Sequence, residues 1–336
     1  MNRDFQKEDE FYSKEFNFSY SSLNKLLYSP SLFYRDYILG DKEEKTEKYL
    51  VEGKLIHCLL FEPQNLSKKF NITPNKLPSD ATLRVLNQIR NKSISLDIIF
   101  PKITDSIQEL DDIILDVLKQ ENLHQSLKED SARLVKIKTE EAQVYWEFIN
   151  NPVGDIVDTE TLEKCKTQVE ILKANKDVMA LFVDTESDFE LDPIKSHSEI
   201  YRTAKLLNKS FGLHGIMDHY KVNAETKTVT IVDLKTTSKT ISEFPETVEF
   251  YNYWLQAAIY YKLVFENLSK EEQEFKILFK FAVIDKYDQV YVFEVSDETM
   301  YEWGTRLMIL LEQAEYHFTE RDYSLPYNYL TNIIKL

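Results

Sequence analysis

The sequence predicts an α/β fold in which a mostly helical stretch precedes a group of strands in the C-terminal part of the chain. Three observations lead there. Glycine accounts for only 6 of 336 residues, so most backbone is expected in regular elements rather than in turns that need left-handed dihedrals. Between about residues 71 and 186, apolar residues recur at helical spacing among charged ones. Beyond residue 195, short runs rich in Val, Ile, Thr, Tyr and Phe alternate with turn-forming residues.

Taken in order, residues 1–16 are polar and charged and read as a lead-in. A helix is expected to begin near Tyr20-Ser21-Ser22, where a Ser cap precedes the apolar spacing of Leu23, Leu26 and Leu27, and to end at Pro30. A short helix follows at 31–39, then a charged solvated loop at 41–48, then a helix at 50–61 that stops before Pro63. The middle of the chain carries helical stretches at 106–120 and 159–182, with Asn-Pro-Val-Gly at 151–154 as a break. Strands are expected at 199–203, 215–222, 229–236, 277–285 and 289–295, the last two forming a hairpin. Helices are expected at 245–267 and 297–316.

Composition excludes several classes. With 43% hydrophobic residues a chain of this length can bury its own core, so folding does not depend on a partner. Two cysteines, Cys58 and Cys165, are too few for a disulfide framework or a four-thiolate metal site and read as buried thiols. No stretch approaches the roughly 18 apolar residues that span a bilayer, so no membrane association and a cytoplasmic location are expected. A net charge of −16 argues against a protein that coats nucleic acid non-specifically. It does not exclude a local basic lining beside carboxylates that hold cations.

The informative segment is Val229-Thr-Ile-Val-Asp-Leu-Lys235-Thr-Thr237. On a strand, Ile231, Asp233 and Lys235 share one face and Val232 and Leu234 the other, so a carboxylate and an ammonium emerge side by side from an apolar strand. Buried charges of this kind must be ion-paired, metal-bound or at an edge. Earlier in the chain, Gly215-Ile-Met-Asp218 places a second Asp in an apolar strand at a spacing suited to a hairpin with the first. Two converging carboxylates suit a hard ion such as Mg2+ or Mn2+. Lys235 beside that ion can orient or help deprotonate a water and can offset charge on a phosphorane-like transition state. Gln256, Tyr260 and Tyr253 lie on one face of the following helix. Beyond Lys235, Thr236, Thr237, Ser238 and Lys239 suit phosphate contacts and are equally usual in a turn. No Walker phosphate loop is present at Gly53-Lys54, and no His-Glu-x-x-His, Gly-x-Ser-x-Gly or zinc-finger spacing occurs. His124, His197, His214, His219 and His317 read as surface or structural residues, with His219 close enough to Asp218 in sequence to reach a substrate.

The order of Gly-x-x-Asp, Asp-x-Lys and a helical Gln-Ala-Ala-x-Tyr (Gln256 to Tyr260) resembles PD-(D/E)XK nucleases of the exodeoxyribonuclease VIII (RecE-type) branch. The segment 18–34, Phe-Ser-Tyr-Ser-Ser-Leu-Asn-Lys-Leu-Leu-Tyr-Ser-Pro-Ser-Leu-Phe-Tyr, is similar to that branch's opening helix and Ser-Pro turn. Glu52-Gly-Lys-Leu-Ile-His57-Cys-Leu-Leu-Phe-Glu-Pro63 is similar to its Gly-x-x-x-His helix, and Ser198-Glu199-Ile-Tyr201 to a strand with a Glu followed by an aromatic. One departure is that Met217, not Pro, precedes Asp218.

The resemblance implies a restriction-endonuclease-like core, a central mixed β-sheet flanked by helices, with a mostly helical insertion. It implies N-terminal helices at 1–70 that contribute His57, the insertion at 71–186 and the nuclease core at 187–336. His57, Asp218, Asp233 and the carbonyl of Leu234 would hold Mg2+ or Mn2+, and Lys235 would serve the attacking water. Glu199 would lie near a second metal or the phosphate, with Gln256 and Tyr260 binding phosphate or positioning that water. The implied substrate is DNA, degraded from its ends in recombination or repair, in a bacterial or phage-infected cell. A single-strand annealing or recombination protein and a homo-oligomer are the implied partners. The rivals are a nicking or restriction-type endonuclease and a non-catalytic binder of DNA or of a recombination partner on the same fold. A paired-carboxylate glycosidase fits poorly, because Asp-x-Lys supplies a cation where such enzymes use a second acid.

Overall fold

The computed structural model describes residues 4–42, 48–151, 154–182, 194–332 and 334. Its strands, in chain order, are β1 (Asn17–Phe18), β2 (Phe70–Ile72), β3 (Asp155–Val157), β4 (Ile194–Lys205), β5 (Gly212–Asn223), β6 (Thr228–Thr237), β7 (Lys276–Asp285) and β8 (Val290–Val295). Two compact units result: Met1–Glu47 with Gln168–Leu336, and Lys48–Thr167.

The first unit is built on a six-stranded mixed sheet flanked by helices, which gives the α/β class expected of a restriction-endonuclease-like fold. Its order is β1-β5-β6-β7-β8, with β4 also paired to β5. β5 pairs antiparallel with both β4 and β6 and parallel with β1, β6 and β7 run parallel, and β7 and β8 form the expected hairpin. β6 is an interior strand whose residues from Val229 to Leu234 are buried, which is why its sequence reads as a nearly continuous apolar run. The helix Tyr253–Asn267 lies across β4 to β7, and it buries Trp254, Leu255, Ala258, Ile259 and Leu263. Gly215 permits that approach. A Cβ at this position would stand 3.0 Å from the Tyr260 ring and 3.1 Å from Leu263 Cδ1.

In the second unit, helices Asp80–Ser95, Gln108–Gln120, Asp130–Ile137 and Glu140–Asn150 surround a small core of their own, and the helix Lys48–Phe61 buries Val51, Leu55, Ile56 and Cys58. Val85, Leu86, Leu110, Ile114 and Trp146 fill it, and the Trp146 indole N–H donates to the Phe100 carbonyl at 2.8 Å. Cys58 and Cys165 are both buried and form no disulfide, as the sequence implied. Among the described residues no helix is long and apolar enough to cross a membrane.

Several elements depart from the sequence expectation. The single helix expected at 245–267 is two, Phe244–Phe250 and Tyr253–Asn267. Asn252 separates them in the left-handed conformation (φ 57°), where its amide accepts from the Trp254 indole and donates to Asn24. The stretch 159–182 likewise divides, into Thr159–Ala174 and Lys176–Phe182, with the Asn175 side chain accepting from the Asp177 and Val178 N–H groups. Pro30 opens a new helical segment, Pro30–Phe33, after the helix Tyr20–Tyr28 has ended, because proline at a first helical turn removes an N–H that has no helical partner. β1, β2 and β3 were not expected; at two or three residues each they are too short to show alternation.

Gly215→Val should crowd the Tyr260 and Leu263 side chains and destabilise the fold by about 1–3 kcal/mol. A lowered urea midpoint at unchanged slope checks this, and an unaltered midpoint contradicts the packing account.

Candidate active site

β5 and β6 pair from Thr228↔Asn223 as far as His219↔Val232 and then separate. One step further along that register, Asp218 stands opposite Asp233. On the other side of β5, pairing with β4 runs to Ser198↔His219 and resumes at Ile200↔Met217, so Glu199 stands opposite Asp218. Three neighbouring strands therefore bring Glu199, Asp218 and Asp233 to one level of the sheet. The ladder is interrupted at that level on both sides of Asp218.

Local backbone geometry explains the interruption. Glu199 has φ 48°, a left-handed conformation that a residue with a Cβ adopts at a cost of roughly 1–3 kcal/mol. On the β6 side, the Asp218 carboxylate accepts from the Leu234 N–H at 2.7 Å, replacing the ladder bond lost where the strands part. The nearest oxygens of Glu199 and Asp218 lie within 4.8 Å of one another. Asp218 is 8% exposed and Asp233 is 0% exposed.

Lys235 answers this negative charge. Its Nζ is 2.5 Å from Asp233 Oδ2 and donates to Gln256 Oε1 at 2.9 Å. Burial works against the ammonium, yet the Asp233 and Asp218 carboxylates outweigh it and hold the Lys235 pKa above its ordinary value. Gln256 Nε2 donates to the Tyr260 hydroxyl at 2.9 Å. A protonated lysine only donates, so it fixes the amide with its oxygen toward Lys235 and its nitrogen toward Tyr260. Tyr260 is held as the neutral phenol well above its usual range, first by burial and then by Asp233 and Asp218.

The expected groups thus converge within the first unit: Asp218, Asp233, Lys235, Gln256 and Tyr260 form one connected cluster, with Glu199 at its edge. His57 sits on Lys48–Phe61 in the second unit, its ring edge-on to Phe61 at 5.9 Å. His219 faces away from a substrate role: it is buried, bonded through Nδ1 to Ser198 Oγ at 2.8 Å and set against the Phe182 ring. Two aromatic residues enter the cluster that the sequence left without a role there. The Tyr253 ring lies 4.7 Å from Lys235 Nζ. The Tyr20 pKa is pushed up to about 12 by burial, with Lys235, Tyr253 and Asp233 all close enough to act on it. For Tyr253 the shared helix face was the available signal; for Tyr20, at the start of an unrelated helix, there was none.

The sequence model of the PD-(D/E)XK nuclease superfamily matches residues 17–322, and the chain belongs to that superfamily. Its activity class is therefore that of a nuclease, a phosphodiester hydrolase dependent on a divalent metal. No curated protein matches the sequence. Among solved structures, the chain is similar to a presumed exonuclease from Eubacterium rectale, at 10% identity and a TM-score of 0.47, over 100% of this chain and 96% of that one.

The donor set fits the metal such an enzyme uses. Asp233 and Asp218 act on the Lys235 ammonium and Glu199 stands beside Asp218 at the same level of the sheet, an oxygen-rich, net negative arrangement that a hard divalent cation relieves. Removing the lysine should leave Asp233 as a buried charge without its ion-pair partner. Lys235→Met is expected to cost roughly 3–5 kcal/mol of stability in EDTA, and Lys235→Arg much less, by denaturant titration. Equal stability of Lys235→Met and wild type would contradict the pairing.

Proposed function

We propose that this protein is a Mg2+- or Mn2+-dependent DNA exonuclease of the RecE-type branch that removes nucleotides from DNA ends in recombination or repair. The observation that carries the hydrolytic reading is the Asp233–Lys235 ion pair, braced by Gln256, where β5 and β6 separate around Asp218. The exonucleolytic mode rests on the order of the sequence fragments described above. The catalytic core is assigned to 187–336, with 1–70 supplying His57 and 71–186 as the insertion.

In this reading Asp218, Asp233, the Leu234 carbonyl and His57 hold the metal, and Glu199 lies near a second ion or the phosphate. The bound cation would polarise the scissile phosphate and lower the pKa of a coordinated water. Lys235, kept protonated by its carboxylates, offsets charge growing on the phosphoryl oxygens and directs a hydrogen bond at the attacking water. Gln256 holds the ammonium on that line. Tyr260, kept as a phenol, anchors the far side of the amide.

With Mn2+, linear duplex DNA should be degraded and covalently closed circles left intact. Cleavage of circles would make the enzyme an endonuclease, and inertness toward both would make it a binder. Lys235→Ala, Asp218→Asn and Asp233→Asn should each lower turnover by a hundredfold or more, on the order of the loss from removing one transition-state contact.

Cation binding gives a second readout. A ligand held only by the native state raises the melting temperature in a concentration-dependent way. Mn2+ should raise that of the wild type and of Gln256→Ala, and should leave those of Asp218→Asn and Asp233→Asn nearly unmoved. His57→Ala should show a reduced response; a full response would remove His57 from the ligand set.

A further inference from the structure

The turn joining Phe244–Phe250 to Tyr253–Asn267 carries a run of aromatic rings from solvent to the catalytic lysine. Phe250 is 72% exposed and Tyr251 is 44% exposed. Their rings meet edge to face at 4.9 Å, and the Tyr251 ring stacks on Tyr253 at 5.7 Å with 30° between the planes. Tyr253 in turn lies against Lys235. Lys239, on the chain leaving β6, places its Nζ 5.6 Å from the Phe250 ring.

Folding does not explain the outer rings. The apolar contacts that seat these helices come from Phe244, Val248, Trp254 and Leu255, all buried, whereas Phe250 keeps most of its surface in water. The platform is nevertheless held firmly. The Tyr20 hydroxyl donates to the Tyr251 carbonyl at 2.6 Å, and the left-handed Asn252 is tied on both sides by its amide. Exposed aromatic faces on a fixed backbone, with an ammonium beside them and a path ending at the catalytic centre, are what unpaired nucleobases stack upon.

We propose that Phe250 and Tyr251 form a stacking platform for unpaired bases at the end of the substrate strand, with Lys239 beside the backbone phosphate, so that the scissile phosphodiester is presented to Lys235. This deepens the nuclease reading and rests on it: the substrate strand is engaged as a single strand, and a duplex end must open before it is cut.

The test measures binding without hydrolysis. In EDTA, fluorescence anisotropy is followed for an end-labelled oligothymidylate and for the same oligonucleotide with abasic sites at its terminal positions. The wild type should prefer the base-bearing strand. Phe250→Ala and Tyr251→Ala should each weaken binding to oligothymidylate by roughly five- to a hundredfold, with binding to the abasic strand unchanged and Phe250→Trp restoring the affinity. An equal loss on both strands, no loss on either, or failure of the wild type to discriminate overturns the platform. Turnover of linear DNA by the wild type with Mn2+ is scored separately, so a failed nuclease reading with intact base discrimination is distinguishable from a failed platform with intact hydrolysis.

Discussion

The fold is organised around negative charge that the sheet itself concentrates. Asp233 is fully buried on an interior strand, Asp218 nearly so beside it, and Glu199 stands on the next strand at the same level. Burying a carboxylate costs several kcal/mol unless something of opposite charge accompanies it. Lys235 accompanies Asp233 from the same face of the same strand, where the period of two puts it within ion-pairing distance without a loop or a second element. The cluster therefore needs no flexible segment to assemble. Its geometry is fixed by strand register, and register in a buried sheet is fixed by the apolar pattern.

The helix over this cluster has to come close to the sheet while leaving polar groups at the right depth, and two local features permit it. Gly215 lets Tyr260 and Leu263 approach β5. Asn252 breaks what would otherwise be one long helix, so Tyr253, Gln256 and Tyr260 begin a new helix aimed down at Lys235 rather than continuing the axis of Phe244–Phe250. Without the break, Tyr251 and Phe250 would not sit at the rim of the site. The same left-handed residue thus sets both the brace on the lysine and the outward aromatic faces.

Much of this was legible in the sequence because it depends on periodicity. The alternation that separates Asp233 and Lys235 from Leu234, the hairpin spacing to Asp218 and the i, i+4 pairing of Gln256 with Tyr260 are arithmetic properties of strands and helices. The boundaries that failed depend on single side chains that replace a backbone partner. Asn252 and Asn175 end helices whose apolar pattern continues across them, and propensity treats asparagine in a helix as a mild cost rather than a stop. Strands of two or three residues carry no period at all, so β1, β2 and β3 were invisible. The role of Tyr20 was equally hidden, since its nearness to Lys235 and Tyr253 is a matter of tertiary packing between remote segments. Glu199 was recognisable only by its neighbours in the motif; that its backbone is left-handed follows from neither composition nor pattern.

The net charge of −16 bears on how such a chain can hold DNA at all. Proteins that bind by neutralising phosphates draw affinity from released counterions, a term that an acidic surface weakens. Lys235 is already committed to Asp233, which leaves less of its charge for the substrate. Stacking of bases on aromatic rings is insensitive to the sign of the surrounding surface, because it needs only a flat face and desolvation. An acidic nuclease that grips an opened end through Phe250 and Tyr251 avoids the repulsion that a long duplex footprint would incur, and it confines engagement to the terminal nucleotides. Recognition of that kind favours ends over internal sites for an electrostatic reason, independent of any ring or clamp around the DNA.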